Sequence, residues 1–367
     1  MGLTSQSFLT LCIVLAVAAP IVTMLLWSRV LGPRVVKGTQ RLSMIAVCQV
    51  TAVLLLGILV NNNFYLYASW HDLLGIGGSA AVGADGVLPL GLTAEAHKVE
   101  TAFRSATTPG SGVVLDQTIV GAKSGLTENV LIYLPPEYHD PAYAKTKFPV
   151  AIAYPGFPGD PRVWTTKLPI PKIMSQEVRA KRAKPFVVVM MAATVAPPRD
   201  TECANVVGGP KVETFLAEDV RSQVSQALRV RTDARGWGLM GSSLGGFCAV
   251  KLAMRHPDLY GSAVSLSGFY HALLDNTTGS LYGGNQALRN ESSPIWRLHH
   301  LPAPPIAVFA TISRQERTYP DSLAFFASVK PPMTLQTLVL TRGGHNPGAY
   351  ITELPKALEF LSKQFSR

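Results

Sequence analysis

The run Gly241-Ser242-Ser243-Leu244-Gly245 places a serine between two glycines, each two residues away. A nucleophilic hydroxyl on a sharp strand-to-helix turn needs that spacing, because flanking side chains would hold strand and helix apart. Reading Ser242 as the nucleophile would instead put Met240 and Leu244 where glycines are required. A serine hydroxyl attacks only when a base takes its proton, and an acid must orient that base; the chain order is serine, acid, histidine. Of the eight histidines, His345 alone lies beyond His300, in Thr341-Arg-Gly-Gly-His-Asn-Pro347. Glycines before it let the loop carry the imidazole over the serine. His256 falls at the end of the helix after the serine, and His299 and His300 precede the acid's strand, where capping or packing accounts for them. His71, His97, His139 and His271 have no supporting motif.

The acid belongs just after the strand Pro305–Ile312, where Glu316 and Asp321 qualify. Asp321 follows Pro320 and opens a helical run, so stabilising a helix start explains it without catalysis. Glu316, in Ser313-Arg-Gln-Glu-Arg317, has no such alternative use and is preferred; Asp321 remains the alternative acid. Two backbone N–H groups must face the developing oxyanion. Leu244 supplies one at the start of the following helix. Phe157, in Tyr154-Pro-Gly-Phe-Pro-Gly159, is expected to supply the other, with Gly156 as the fallback, since Pro155 has no N–H.

The elements that must position these groups are legible from about residue 112. Strands are predicted at Val113–Val120, Asn129–Leu134, Pro149–Tyr154, Phe186–Ala192, Gly236–Met240, Ser262–Leu266, Ile306–Ile312 and Leu335–Leu340. Helical patterns cover 213–229, 244–256, 321–329 and 349–364. Closely joined early strands read as antiparallel, and later strands separated by helices as parallel. This is the α/β-hydrolase arrangement, a mostly parallel central sheet flanked by helices, in one domain spanning 112–367.

The first 74 residues are different. Residues 8–27 and 42–60 are apolar, uncharged and close to the ~20 residues that cross a bilayer. Between Met1 and His71 the only charged side chains are Arg29, Arg34, Lys37 and Arg41, between the two runs. The positive-inside bias then puts that loop in the cytoplasm and both termini outside. A plasma-membrane protein with two spans and an extracytoplasmic catalytic domain is expected. Phe64, Tyr65, Tyr67 and Trp70 suit the headgroup level. Residues 75–111, rich in Gly, Ala and Ser, read as a linker with one helix near 93–106.

The remaining chain carries a net charge of +6, as expected of an ordinary solvated surface. No run of Lys and Arg interleaved with aromatics points to nucleic acid. No Cys/His spacing points to a metal, and the chemistry requires no cofactor. Cys12 and Cys48 fall in the apolar runs. Cys203 and Cys248 are the only pair in the outer domain, and the sequence leaves open whether they are bonded.

Three segments resemble a known family: Asn129-Val-Leu-Ile-Tyr-Leu-Pro-Pro-Glu-Tyr138, Val212-Glu-Thr-Phe-Leu-Ala-Glu-Asp-Val220, and Leu239 through Pro257. The chain is similar over about 112–365 to the putative-esterase family, which includes esterase D, feruloyl and enterochelin esterases and actinobacterial mycolyltransferases. The Glu-Thr-Phe-Leu segment looks most like the mycolyltransferase branch, whose Ser–Glu–His triad implies Glu316 as the acid. Tyr154-Pro-Gly-Phe-Pro-Gly-Asp160 departs from the Asp-Gly-Leu-Arg type stretch that helps those enzymes hold trehalose, so trehalose is not carried over. The expected function is two-step acyl transfer from an ester, an envelope lipid or acylated glycan, to water or another alcohol. The competing reading is a membrane-tethered binding or scaffolding protein on a catalytically silent hydrolase fold.

Overall fold

The computed structural model describes residues 6–64, 89–90, 112–197 and 199–366. They fall into two units, Met1–Ala80 and Ala81–Arg367. Among the described residues the larger unit has nine strands: β1 (Pro89–Leu90), β2 (Val113–Val120), β3 (Thr127–Leu134), β4 (Val150–Tyr154), β5 (Val187–Met190), β6 (Trp237–Ser242), β7 (Ser262–Leu266), β8 (Ala307–Ser313) and β9 (Thr334–Leu340). They form one sheet in the order β1-β2-β3-β5-β4-β6-β7-β8-β9. Strand β3 is antiparallel to both β2 and β5. From β5 to β9 every pairing is parallel.

Short strands alternate with helices, and a parallel return requires such a crossover. Strands β4, β6, β7 and β8 are buried along their whole length. They read as near-continuous apolar or small runs because helices cover both faces. Side chains alternate between two cores: Val150, Ile152 and Tyr154 enter one, Ala151 and Ala153 the other. Helix α3 (Ile170–Arg179) contributes Ile173 and Met174 to the second core. Past β5 the chain turns through Val212–Thr214, a π-helical turn Phe215–Asp219 and helix α4 (Val220–Ala227). Around the π turn, Tyr260 Oη donates to Ala217 O at 2.7 Å and Tyr154 Oη to Leu216 O at 3.5 Å. Helix α5 (Leu244–Arg255) is buried nearly throughout, α6 (Pro294–His300) and α7 (Tyr319–Ser328) follow, and α8 (Pro347–Phe365) packs Leu354, Leu358 and Leu361 into the second core.

The smaller unit holds α1 (Gln6–Leu26) and α2 (Arg34–Phe64), both long and apolar enough to cross a membrane. Most of their large apolar side chains, Val22, Met24 and Leu56 among them, are exposed. Helix α2 starts eight residues before the expected apolar run, so Arg34, Lys37 and Arg41 lie on its first turns rather than in a loop. Lys, Arg and Gln are good helix formers, which a reading by hydrophobicity does not register. Arg41 lies 5.0 Å over the Trp27 ring and donates to the Trp27 carbonyl at 3.3 Å. Apart from β1, the expected linker 75–111 lies outside the described residues, with its predicted helix and with Tyr65, Tyr67 and Trp70.

Charged groups are buried where α5 meets the loop after β5. Lys251 is fully buried and donates to the carbonyls of Glu202 at 2.9 Å and Cys203 at 3.3 Å. Glu202 accepts from the Leu273 N–H through both carboxylate oxygens. Burial pushes Lys251 down and Glu202 up. Glu213 accepts from Arg255 Nε at 2.6 Å and meets His256 Nε2 at 2.9 Å. Burial alone would raise Glu213, but His256, Lys251 and Arg255 hold it at about 2.

Because its folded pKa is depressed, Glu213 contributes stability that is complete above the ordinary value of 4.5 and is lost as pH falls towards about 2. Denaturant midpoints of the intact protein are expected to fall more steeply over that acid interval than those of Glu213→Gln. At neutral pH, Glu213→Ala is expected to cost about 3–5 kcal/mol, because it leaves buried cations uncompensated.

Candidate active site

Ser243 sits between β6 and α5 at φ 54° and ψ −121°, a conformation that costs energy for any side chain. Its surroundings impose it. Ser243 N–H donates to Leu266 O on β7 at 2.9 Å, and its carbonyl accepts from Phe247 N–H at 3.1 Å. A Cβ on Gly241 would lie 2.3 Å from the Gly245 carbonyl, and one on Gly245 would lie 2.0 Å from Tyr154 O. The motif glycines are therefore demanded by backbone contact between the turn and the end of β4. A Cβ on Gly156 would come 3.0 Å from Ser243 Cβ, so the loop after β4 passes directly beside the serine. Phe157 is the next residue, half-buried against the first core. Leu244 opens α5, and N–H groups in a helix's first turn have no partner within the helix.

His345 lies in the loop between β9 and α8. Its Nε2 is 2.7 Å from Ser243 Oγ, and its Nδ1 is 2.8 Å from Glu316 Oε2. A carboxylate only accepts, so Nδ1 carries the proton and Nε2 is left to accept from the serine hydroxyl. Gly343, at φ 134°, turns this loop; its N–H donates to Gln315 Oε1 at 3.3 Å and its carbonyl accepts from Ser313 Oγ at 3.2 Å. The loop carrying the acid thus holds the loop carrying the histidine.

Glu316 is buried, whereas the His345 side chain is 46% exposed. The Glu316 carboxylate accepts from Ser267 Oγ at 2.7 Å and Ser313 N–H at 3.0 Å as well as from His345. Burial would raise it, but these hydrogen bonds and the imidazole hold it below the ordinary carboxylate value. Asp321 lies exposed in the first turn of α7. The structure brings Ser243, His345 and Glu316 together and leaves Asp321 at a helix start. Ser267, at φ 50° after β7, and Gln315 also support the site and were not singled out in the sequence. Both act through loops distant in the chain; the small-residue run Ser265-Leu-Ser-Gly268 at a strand end was the available signal.

Cys203 and Cys248 form a disulfide with Cα atoms 5.8 Å apart, tying the loop after β5 to α5. His256 ends α5 and pairs with Glu213; His299 contacts Ser328 Oγ at 2.8 Å and His300 stacks on Trp296. No group of three or more potential metal ligands occurs among the described residues.

Sheet order, strand-to-helix serine turn and loop positions together define an α/β-hydrolase. Residues 124–347 match the family model described as Putative esterase, so the chain belongs to that family. Among curated relatives it is 29% identical over 157 residues to an uncharacterized protein of Corynebacterium glutamicum, covering 42% of this chain and 36% of that protein. It is 34% identical over 79 residues to the MPT51 antigen of Mycobacterium leprae, covering 22% of this chain and 26% of that one. The chain thus spans well under half the length of these curated relatives. A ferulic acid esterase superposes with a TM-score of 0.59 at 16% identity, covering 70% of this chain and 99% of that chain. An S-formylglutathione hydrolase from Agrobacterium tumefaciens gives 0.59 at 12% identity, with coverages of 71% and 98%. At such identities the structural likeness speaks for the fold.

Gly245→Ala must drive a methyl into the Tyr154 carbonyl. It is expected to destabilise the protein by roughly 3 kcal/mol, measured by chemical denaturation, and to stop Ser243 from reacting with a fluorophosphonate.

Proposed function

We propose that this chain is a membrane-anchored, extracytoplasmic serine esterase or acyltransferase that works through Ser243, His345 and Glu316. The observation that carries the reading is the continuous contact from Ser243 Oγ to His345 Nε2 at 2.7 Å and from His345 Nδ1 to Glu316 at 2.8 Å. His345 takes the hydroxyl proton as Ser243 Oγ attacks an ester carbonyl. Glu316 holds the imidazole in the reactive tautomer and stabilises the imidazolium. The tetrahedral oxyanion faces the N–H groups of Leu244 and Phe157. Its collapse passes the proton from His345 to the leaving alcohol and leaves an acyl group on Ser243. Water or a second alcohol, deprotonated by His345, then releases it. A silent scaffold would not require a strained serine aligned on a histidine and a buried acid.

The anchor comprises residues 1–74 and the catalytic domain 112–367, joined by 75–111. Helices with long apolar stretches whose large side chains are exposed are stable in hydrocarbon rather than water. Arg29, Arg34, Lys37 and Arg41 favour the cytoplasmic face for the turn between them. The Cys203–Cys248 bond suits an oxidising compartment, and so the outer side. A domain held near the bilayer suits an envelope lipid or acylated glycan as the ester.

Ser243→Ala is expected to abolish both hydrolysis of a p-nitrophenyl ester and fluorophosphonate labelling; a protein still labelled would overturn the assignment. Glu316→Gln is expected to keep its fold and lose about 10²–10⁴-fold in kcat. In intact cells, added protease is expected to reach the catalytic domain, whereas alkaline washing of membranes should not release the protein.

A further inference from the structure

A second carboxyl group lies behind Glu316, and nothing in the chemistry above uses it. Glu353, on α8, is 1% exposed. Its Oε2 accepts from the hydroxyl of Thr311 on β8, and its Oε1 is buried without a hydrogen-bond partner among the described residues. The contacts continue from Thr311 to the site. Ser267 N–H donates to Thr311 O at 3.1 Å and lies 3.3 Å from Thr311 Oγ1. Ser267 Oγ in turn donates to Glu316 at 2.7 Å. One turn before Glu353 on α8, Tyr350 sets its ring edge-on to the His345 imidazole, centroids 5.9 Å apart. Glu353 therefore shares a face of α8 with the residue that walls the histidine, and it grips the strand residue that holds the positive-φ turn at Ser267.

Two facts limit its charge state. Among the described residues no cation pairs with it, and a buried carboxylate without one is strongly disfavoured. Glu316 nearby must stay ionised to support an imidazolium, and two adjacent carboxylates repel. Burial pushes Glu353 up to about 7, the Thr311 hydrogen bond working against the rise and the Glu316 charge adding to it.

We propose that Glu353 is a positioning residue for Glu316, acting as an uncharged carboxylic acid that fixes Thr311 and, through the Ser267 turn, sets the orientation of the acid behind His345. The proposal rests on the reading of Ser243, His345 and Glu316 given above. Its chemistry is conservative: no bond to substrate is made or broken by Glu353, and its proton stays in place through the cycle.

The test uses the full-length protein in detergent and steady-state hydrolysis of p-nitrophenyl butyrate. Glu353→Gln keeps shape and neutrality, and is expected to stay within about threefold of the parent kcat. Glu353→Ala is expected to lower kcat by about tenfold or more with KM changed less than about twofold, because orientation rather than binding is lost. The infrared spectrum of the parent minus Glu353→Gln at pH 6 is expected to show the carbonyl band of a protonated carboxyl group. A parent-like kcat in Glu353→Ala, a loss in Glu353→Gln of more than about tenfold, or absence of that band would each overturn the proposal. Should Glu353→Ala fail to fold, Glu353→Gln and the infrared band still decide. Activity persisting in Ser243→Ala would instead overturn the function, whatever the Glu353 variants do.

Discussion

The constraint on which the site depends is a backbone contact. The carbonyl of Tyr154 at the end of β4 lies against the turn after β6, so closely that a Cβ on Gly245 would sit 2.0 Å from it. Everything at the site follows from that approach. It fixes β4 and β6 as parallel neighbours with Tyr154 opposite Gly241, and it places Gly156 beside Ser243 without any side chain intervening. It also forces Ser243 into positive φ, which lifts the hydroxyl off the sheet and towards His345. The strain is maintained because β7 holds the Ser243 N–H and α5 holds its carbonyl.

Around that turn, buried carboxyls are tuned apart by what surrounds them. Glu213 meets Arg255, His256 and Lys251 and stays ionised. Glu316 has a histidine and two further donors and is also held low. Glu353 has one hydroxyl donor and, among the described residues, no cation, and is raised. Residue type is the same in all three; the number of donors and the sign of the neighbours decide the charge. The sheet supplies this difference, since the loops after β7, β8 and β9 converge at one end while α8 returns beneath them.

The chemistry-bearing residues were readable because they are local patterns. The serine turn needs only five consecutive residues, and His345 is the one histidine beyond His300. The eight strands from Val113 onward were equally plain, since alternation and apolar runs are local signals; Val113–Val120 and Ser262–Leu266 match to the residue, and the ends of the others moved by at most two residues. The acid was harder. Chain order admitted both Glu316 and Asp321, and only the capping use of Asp321 separated them. Gln315 and Thr311 left no local signal, and Ser267 only its small-residue run, because each acts across the sheet on a residue distant in sequence. The swap of β4 and β5 in strand order is likewise a tertiary choice that no local pattern marks. In the N-terminal unit the apolar runs were legible, but the basic start of α2 was not, because hydrophobicity does not mark where helical hydrogen bonding begins.

The widened turn at Phe215–Asp219 sets helix quality against fold quality. Deleting one residue there would restore regular α-helical winding. It would also rotate the Ala217 carbonyl away from the Tyr260 hydroxyl, and Asp219 away from the N–H groups of Lys123 and Ser124 that it accepts at 2.9 Å. A shortened chain would gain one ideal turn and lose its fastening to two other elements at once. The extra residue is therefore a length that the surrounding sheet and loops select, although the helix itself would not.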